Sequence, residues 1–147
     1  MTRLFHGITV TLALSLAQHA SAQGSGAAEG WVKFTKPAGR GVNGAQCVND
    51  HQGTLGGVFG RSELPLLAFT INPPESITRM MGTSKVKFTG PGTYKNVGVM
   101  AYLGKTALED AYGGLGTITV NPDLHSGSFS TNDGKAAGTW DCGHSLR

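Results

Sequence analysis

The chain has 147 residues, 23 of them glycine, with 14% charged residues, two cysteines and a formal net charge of +3. Glycine far above the usual share of about 7% argues against a helical fold, because each interior Gly costs a helix about 1 kcal/mol relative to Ala. Lysine and arginine stand singly rather than in runs, which argues against a nucleic-acid partner, whose phosphates require clustered cations.

The first residues read as an export signal. Arg3 supplies a positive start, residues 8–17 are apolar but too short to span a bilayer, and Ala20-Ser21-Ala22 offers small residues for cleavage before Gln23. The alternative is an uncleaved anchor or a buried helix. The reading places the mature protein in the periplasm or outside the cell. No later stretch is long and apolar enough for a transmembrane helix, and no cysteine follows the apolar run to carry a lipid. Residues 1–22 are then a signal peptide, 23–30 a flexible Gly/Ala/Ser leader and 31–147 one domain, long enough to bury a core.

Trp31 opens the first strand. Residues 37–44 hold Pro37, Asn43 and three glycines and read as a loop. Residues 45–48 form a second strand carrying Cys47, closed by a polar turn over 49–53. Residues 54–60 are a Gly-broken strand or a loop. Residues 64–71 are the strongest apolar run, with Leu67, Phe69 and Ile71 on one face and Leu66, Ala68 and Thr70 on the other, a pattern for a central strand. Asn72-Pro73-Pro74-Glu75 has the form of a helix start, with Asn72 as cap and Pro73 in the first turn. The short helix ends at Gly82 and puts Ile77, Met80 and Met81 on one face. Those methionines read as core filling or as an adaptable binding surface.

Residues 84–89 alternate Val86 and Phe88 with Lys85 and Lys87. A hairpin turn at Gly90-Pro91-Gly92 leads into a strand over 93–103 with Val97, Val99, Ala101 and Leu103 on one face. A symmetric hairpin sets Phe88 against Tyr94 and Lys87 against Lys95. Like charges so placed are solvated lysines or a site for an anion. Residues 105–112 are a second short helix, with a Thr106/Glu109 capping box and Leu108 and Tyr112 stacked one turn apart. The loops over 72–82 and 105–114 are read as one contact surface at a single end of the sheet.

Three strands finish the chain, over 116–121, 126–132 and 136–142. Asn121-Pro122-Asp123 and Asp133-Gly134 join them, the latter a strong hairpin signal. Ala136, Gly138, Trp140 and Cys142 share one face of the last strand, with Ile118, Val120 and Phe129 as company. About eight short strands at this spacing predict an all-β fold, an antiparallel β-sandwich or failing that a short barrel, with one or two helical turns.

Cys47 and Cys142 are an even count in an exported chain, so a disulfide is expected. A redox-active or metal-binding thiol pair is the alternative, but there is no C-x-x-C. If the two are bonded their Cα atoms lie within about 7 Å. His51 and His144 follow them closely, with Asp50 and Asp141 beside them. That leaves open two solvated turn histidines, or a His51/His144/Asp141 group of the type that binds Zn or Cu. Outside that group no cofactor is expected.

The catalytic templates fail. There is no G-x-S-x-G, no H-E-x-x-H, no phosphate-binding Lys after a Gly-rich loop, and Glu109-Asp110 face different ways. The exported leader, the early strand cysteine, Asn72-Pro73-Pro74 after an apolar strand, and the final Gly138-Thr139-Trp140-Asp141-Cys142 resemble small two-cysteine bacterial envelope proteins, among them the mycobacterial lipoprotein antigens of the β-sandwich kind. The chain departs from that group in lacking the lipidated cysteine. The resemblance implies a sandwich with one disulfide, no enzymatic activity and no particular functional residues. The expected function is a non-enzymatic exported binding or envelope-associated module with an envelope or protein partner. A small hydrolase or metal-binding protein using His51, His125 or His144 with Asp50, Asp123 or Asp141 is one alternative. A self-assembling surface subunit with a long uncharged edge strand is another.

Overall fold

Alternating apolar residues run through nine strands: β1 (Glu29–Lys36), β2 (Ala38–Asn43), β3 (Ala45–Asn49), β4 (Leu55–Arg61), β5 (Leu64–Ile71), β6 (Gly92–Tyr102), β7 (Ala111–Val120), β8 (Ser126–Thr131) and β9 (Ala137–Gly143). The computed structural model describes residues 29–50, 52–61, 64–75, 78–79, 82–103 and 111–143. The expected signal peptide and most of the leader lie outside them. All pairings are antiparallel, and the strands form one sheet in the order β2-β1-β9-β8-β7-β6-β5-β4-β3.

The two edges of this sheet are consecutive in the chain, separated only by Gly44. β2 and β3 are thus two halves of one bent strand. The first half pairs with β1 and the second with β4. At the bend the Gly44 N–H donates to the Gly30 carbonyl (2.7 Å), and the Gly60 N–H donates to the Gly44 carbonyl (3.1 Å). Gly44 has φ of +100°, a conformation that a β-carbon disfavours. The sheet therefore curls into a nearly closed meander barrel rather than dividing into two packed layers, so the barrel is the expected architecture that is seen. Counting the bent strand once, nine strands make eight staves. A barrel of that size has an interior just wide enough for side chains to fill.

Side chains do fill it. Phe59, Leu67, Val97, Val99, Ile118, Val32 and Trp140 are fully buried. Trp140 lies between Phe69 (ring centroids 4.9 Å apart) and Phe59 (6.4 Å), and Phe34 meets Phe129 edge-on at 5.1 Å. The Trp140 Nε1–H donates to the Ser128 carbonyl, which satisfies its one polar atom. The inward face expected for the last strand holds: Ala136, Trp140 and Cys142 are all fully buried. Outward positions on β6 to β9 include Thr93, Lys95, Thr119, Ser128 and Thr139.

The expected disulfide is present. Cys47 on β3 and Cys142 on β9 are bonded, with Cα atoms 5.9 Å apart and 95 residues between them in sequence. Beyond Gly44 the outer side of β3 has no ladder partner. The disulfide spans that gap to β9 and holds the barrel shut.

Several local expectations change. Residues 37–44 were expected to be a loop, but 38–43 are strand β2, whose peptide groups pair with β1 despite three turn formers in Ala38–Asn43. Residues 84–89 were expected to be a strand, but they join no ladder. Isolated bonds hold them instead: Ser84 N–H to the Asn96 carbonyl and Phe88 N–H to the Gly53 carbonyl. Phe88 does meet Tyr94, at 5.7 Å between ring centroids. The helix expected after Asn72 is seen at the described residues Glu75, Thr78 and Arg79, with the bonds Thr78 N–H to Pro74 carbonyl and Gly82 N–H to Thr78 carbonyl. Of the second expected helix, residues 105–110 lie outside the described residues, and Tyr112 belongs to strand β7 because it pairs with Ala101.

Candidate functional site

Strand direction decides which turns share an end. In a meander, alternate connections lie together, so the β1–β2, β6–β7 and β8–β9 connections crowd one mouth of the barrel. The β3–β4, β5–β6 and β7–β8 connections lie at the other. The loops over 72–82 and 105–114 therefore leave the barrel at opposite ends, which corrects the expectation of one shared contact surface.

The first mouth carries an open cleft of about 570 Å³, lined by Lys36, Pro37, Arg40, Leu103, Tyr112, Asp133, Gly134 and Lys135. Pro37 sets the turn from β1 to β2 and puts Lys36 on the rim. Arg40 on β2 reaches across to the end of β6, where its Nη1 donates to the Leu103 carbonyl at 2.6 Å, over 63 residues of sequence. Asp133 and Gly134 turn β8 into β9, with Gly134 at φ of +69°. The Asp133 carboxylate accepts from the Thr131 hydroxyl (2.6 Å) and from the Lys135 N–H (3.0 Å), so it fixes its own turn. Those bonds, the Thr131 hydroxyl first, hold its carboxyl below the ordinary value of 3.8. The Lys135 ammonium stands 5.1 Å over the Tyr112 ring, a cation–π contact. Among the described residues, Lys36, Arg40, Lys135 and the committed Asp133 carboxylate thus line the cleft together with the apolar Pro37, Leu103 and Tyr112 ring.

Tyr112 is the one residue of the sequence-predicted binding set found in this cleft. Lys87 and Lys95 do not form the cross-strand pair expected of them, because 84–89 makes no hairpin ladder with β6. Lys95 pairs across to Thr117 on the outer face. The Lys85 ammonium lies 3.9 Å from Glu75, which also bonds Arg79 at 2.9 Å. The Lys87 stem lies over Gly53. Met80, Met81, His51 and His144 lie outside the described residues. The Asp141 carboxylate accepts from the Gly143 N–H at 2.6 Å. Asp123 accepts from the Ser126 hydroxyl (2.6 Å) and from the His125 and Ser126 N–H groups, which lowers its carboxyl below the ordinary 3.8. Asp50 likewise accepts from the Gln52 and Thr54 N–H groups. Asp50 and Asp123 thus cap turns, while Asp141 bonds within β9. Among the described residues no three His, Cys, Asp or Glu side chains gather as a metal site.

Sequence reading missed Lys36, Arg40 and Lys135. Each is an isolated cation near a turn, and only the parity of the strands brings their turns to one mouth. The signal was the Pro37 turn and the Asp133-Gly134 turn, read together with six staves between them once β2 and β3 are counted as one. Comparisons of the chain with protein-family models, with curated proteins and with solved structures find no match.

Proposed function

We propose that this chain is an exported, non-enzymatic binding protein that uses the cationic cleft at one mouth of the barrel as its contact site. The observation that carries this reading is the cleft itself, three cations and an apolar wall on a rigid rim. The interior supports it too: aromatic side chains occupy the space in which larger barrels enclose a ligand, so binding falls to the rim. Asp133, the acid of the cleft, is committed to its own turn, which leaves it poorly placed as a general acid or base. The disulfide fits an oxidising compartment outside the cytoplasm. Self-assembly by strand addition would need a long free edge. Here the two edges, β2 and β3, are short and joined to each other.

Native mass spectrometry of protein recovered from its own host tests the reading. The expected result is a chain that lacks the signal residues, shows the two-proton deficit of one disulfide and carries a stoichiometric bound mass. A Lys36→Gln/Lys135→Gln double variant should lose that mass. A chain that keeps its signal residues and its reduced thiols would overturn export, and a ligand-free chain would overturn small-molecule binding.

A further inference from the structure

The proposed binding role leaves the ligand open, and the cleft narrows it. We infer that the cleft takes a small amphipathic anion, a carboxylate or phosphate group carried on a flat apolar body; this rests on the binding reading above. Its volume of about 570 Å³ falls in the range of small-molecule sites. Lys36, Arg40 and Lys135 line it, and Asp133 is the acid beside them among the described residues.

The placement of each cation matters. The bond from Arg40 to the Leu103 carbonyl uses one of the five donors of a guanidinium and holds the group across the mouth with donors to spare. A planar, preorganised fork suits the paired oxygens of a carboxylate or phosphate. Lys135 stands over the Tyr112 ring, and among the described residues it makes no salt bridge, so its ammonium can meet an incoming anion. Pro37, Leu103 and the Tyr112 ring give the apolar part of the ligand a surface to cover. A duplex or single-stranded nucleic acid would need a longer track of cations than these three.

The test is a two-dimensional ¹H–¹⁵N NMR titration of the disulfide-bonded chain with phenylacetate and with phenyl phosphate, and with phenylacetamide as the uncharged control. At least one anion should give saturable shifts confined to residues 36–41, 103, 112 and 133–136. Lys36→Gln and Lys135→Gln should each weaken that binding by about tenfold, the scale of one charge-assisted hydrogen bond, while the rest of the spectrum shows the fold intact. Arg40 is left unchanged because it also ties β2 to β6. Response to one anion and not the other identifies the head group. Equal binding of the amide, shifts centred elsewhere, or no saturable shift up to about 10 mM would overturn the inference. A bound mass that survives the double lysine variant would overturn it too, yet leave the broader binding role standing.

Discussion

At Gly127 the backbone of β8 passes under Trp140. A β-carbon built there would lie 2.8 Å from Trp140 Cζ2 and still closer to the Thr119 carbonyl oxygen. Neither can move freely, since Trp140 is packed on two phenylalanines and Thr119 belongs to the β7 ladder. Gly127→Ala should therefore lower unfolding stability by about 1–3 kcal/mol, the usual range for overpacking a core, measured by chemical denaturation. The turn carboxylates make a second prediction. Asp123 and Asp133 have carboxyls lowered below 3.8 by hydrogen bonds, from the Ser126 and Thr131 hydroxyls first. A carboxylate with a depressed folded value contributes stability above its unfolded value, and loses it as pH falls through the folded one. Melting temperature should drop on the acid side of about pH 4. An Asp123→Asn/Asp133→Asn variant should melt lower at neutral pH, have a flatter acid limb, and meet the wild-type curve at the acid end. Both carboxylates are exposed, so the effect is small. Period-two alternation made the inward aim of Trp140 and Cys142 legible in the sequence. The meaning of Gly127 was not, because it depends on what the facing strand places opposite.

The bent strand β2–β3 is the element that sequence reading lost. Pro37, Gly39, Gly41 and Gly44 look like a loop, and locally they have little strand propensity. They form a strand because β1 offers an unmatched row of peptide groups on its outer side. The reverse happened at 84–89, where good alternation gives no ladder and isolated bonds to Asn96 and Gly53 hold the segment instead. Strands with a neighbour close in sequence, such as β5, β8 and β9, were readable, whereas the closure between β1 and β9 was not. Two predictions belong here. Gly44→Val should cost about 1–2 kcal/mol, because the bend holds a positive φ, with thermal melting as the check. Cys47→Ser should cost more. A crosslink 95 residues apart is worth about 4–5 kcal/mol on the chain-entropy model. In native-state hydrogen exchange, the amides of residues 45–49 and 141–143 should lose protection first in that variant, since only the disulfide joins those strands across the gap. Uniform loss across the barrel would mean that the bond acts on the unfolded chain alone.

For the molecule as a whole, the filled interior sets what the fold can do. Trp140 is the largest fully buried side chain. Trp140→Ala should cost about 3–5 kcal/mol and open a cavity where the protein now has packed rings, detectable as uptake of xenon or benzene by NMR. The cleft, by contrast, owes little to the core and much to strand parity, which is why its cations were invisible until the topology was known. That topology also orders events in time. β1 and β3 leave the ribosome early, and both depend on β9, the former for its ladder and the latter for its sulfur partner. The meander from β3 to β8 can pair in order, but the barrel cannot close before the last strand is available: until then Cys47 lacks its partner and β1 keeps one unpaired edge. Non-local closure of this kind is slow, and the nascent barrel is an open, sticky ribbon for as long as it lasts. A cell that makes this protein must shield a chain that can only be finished from its far end.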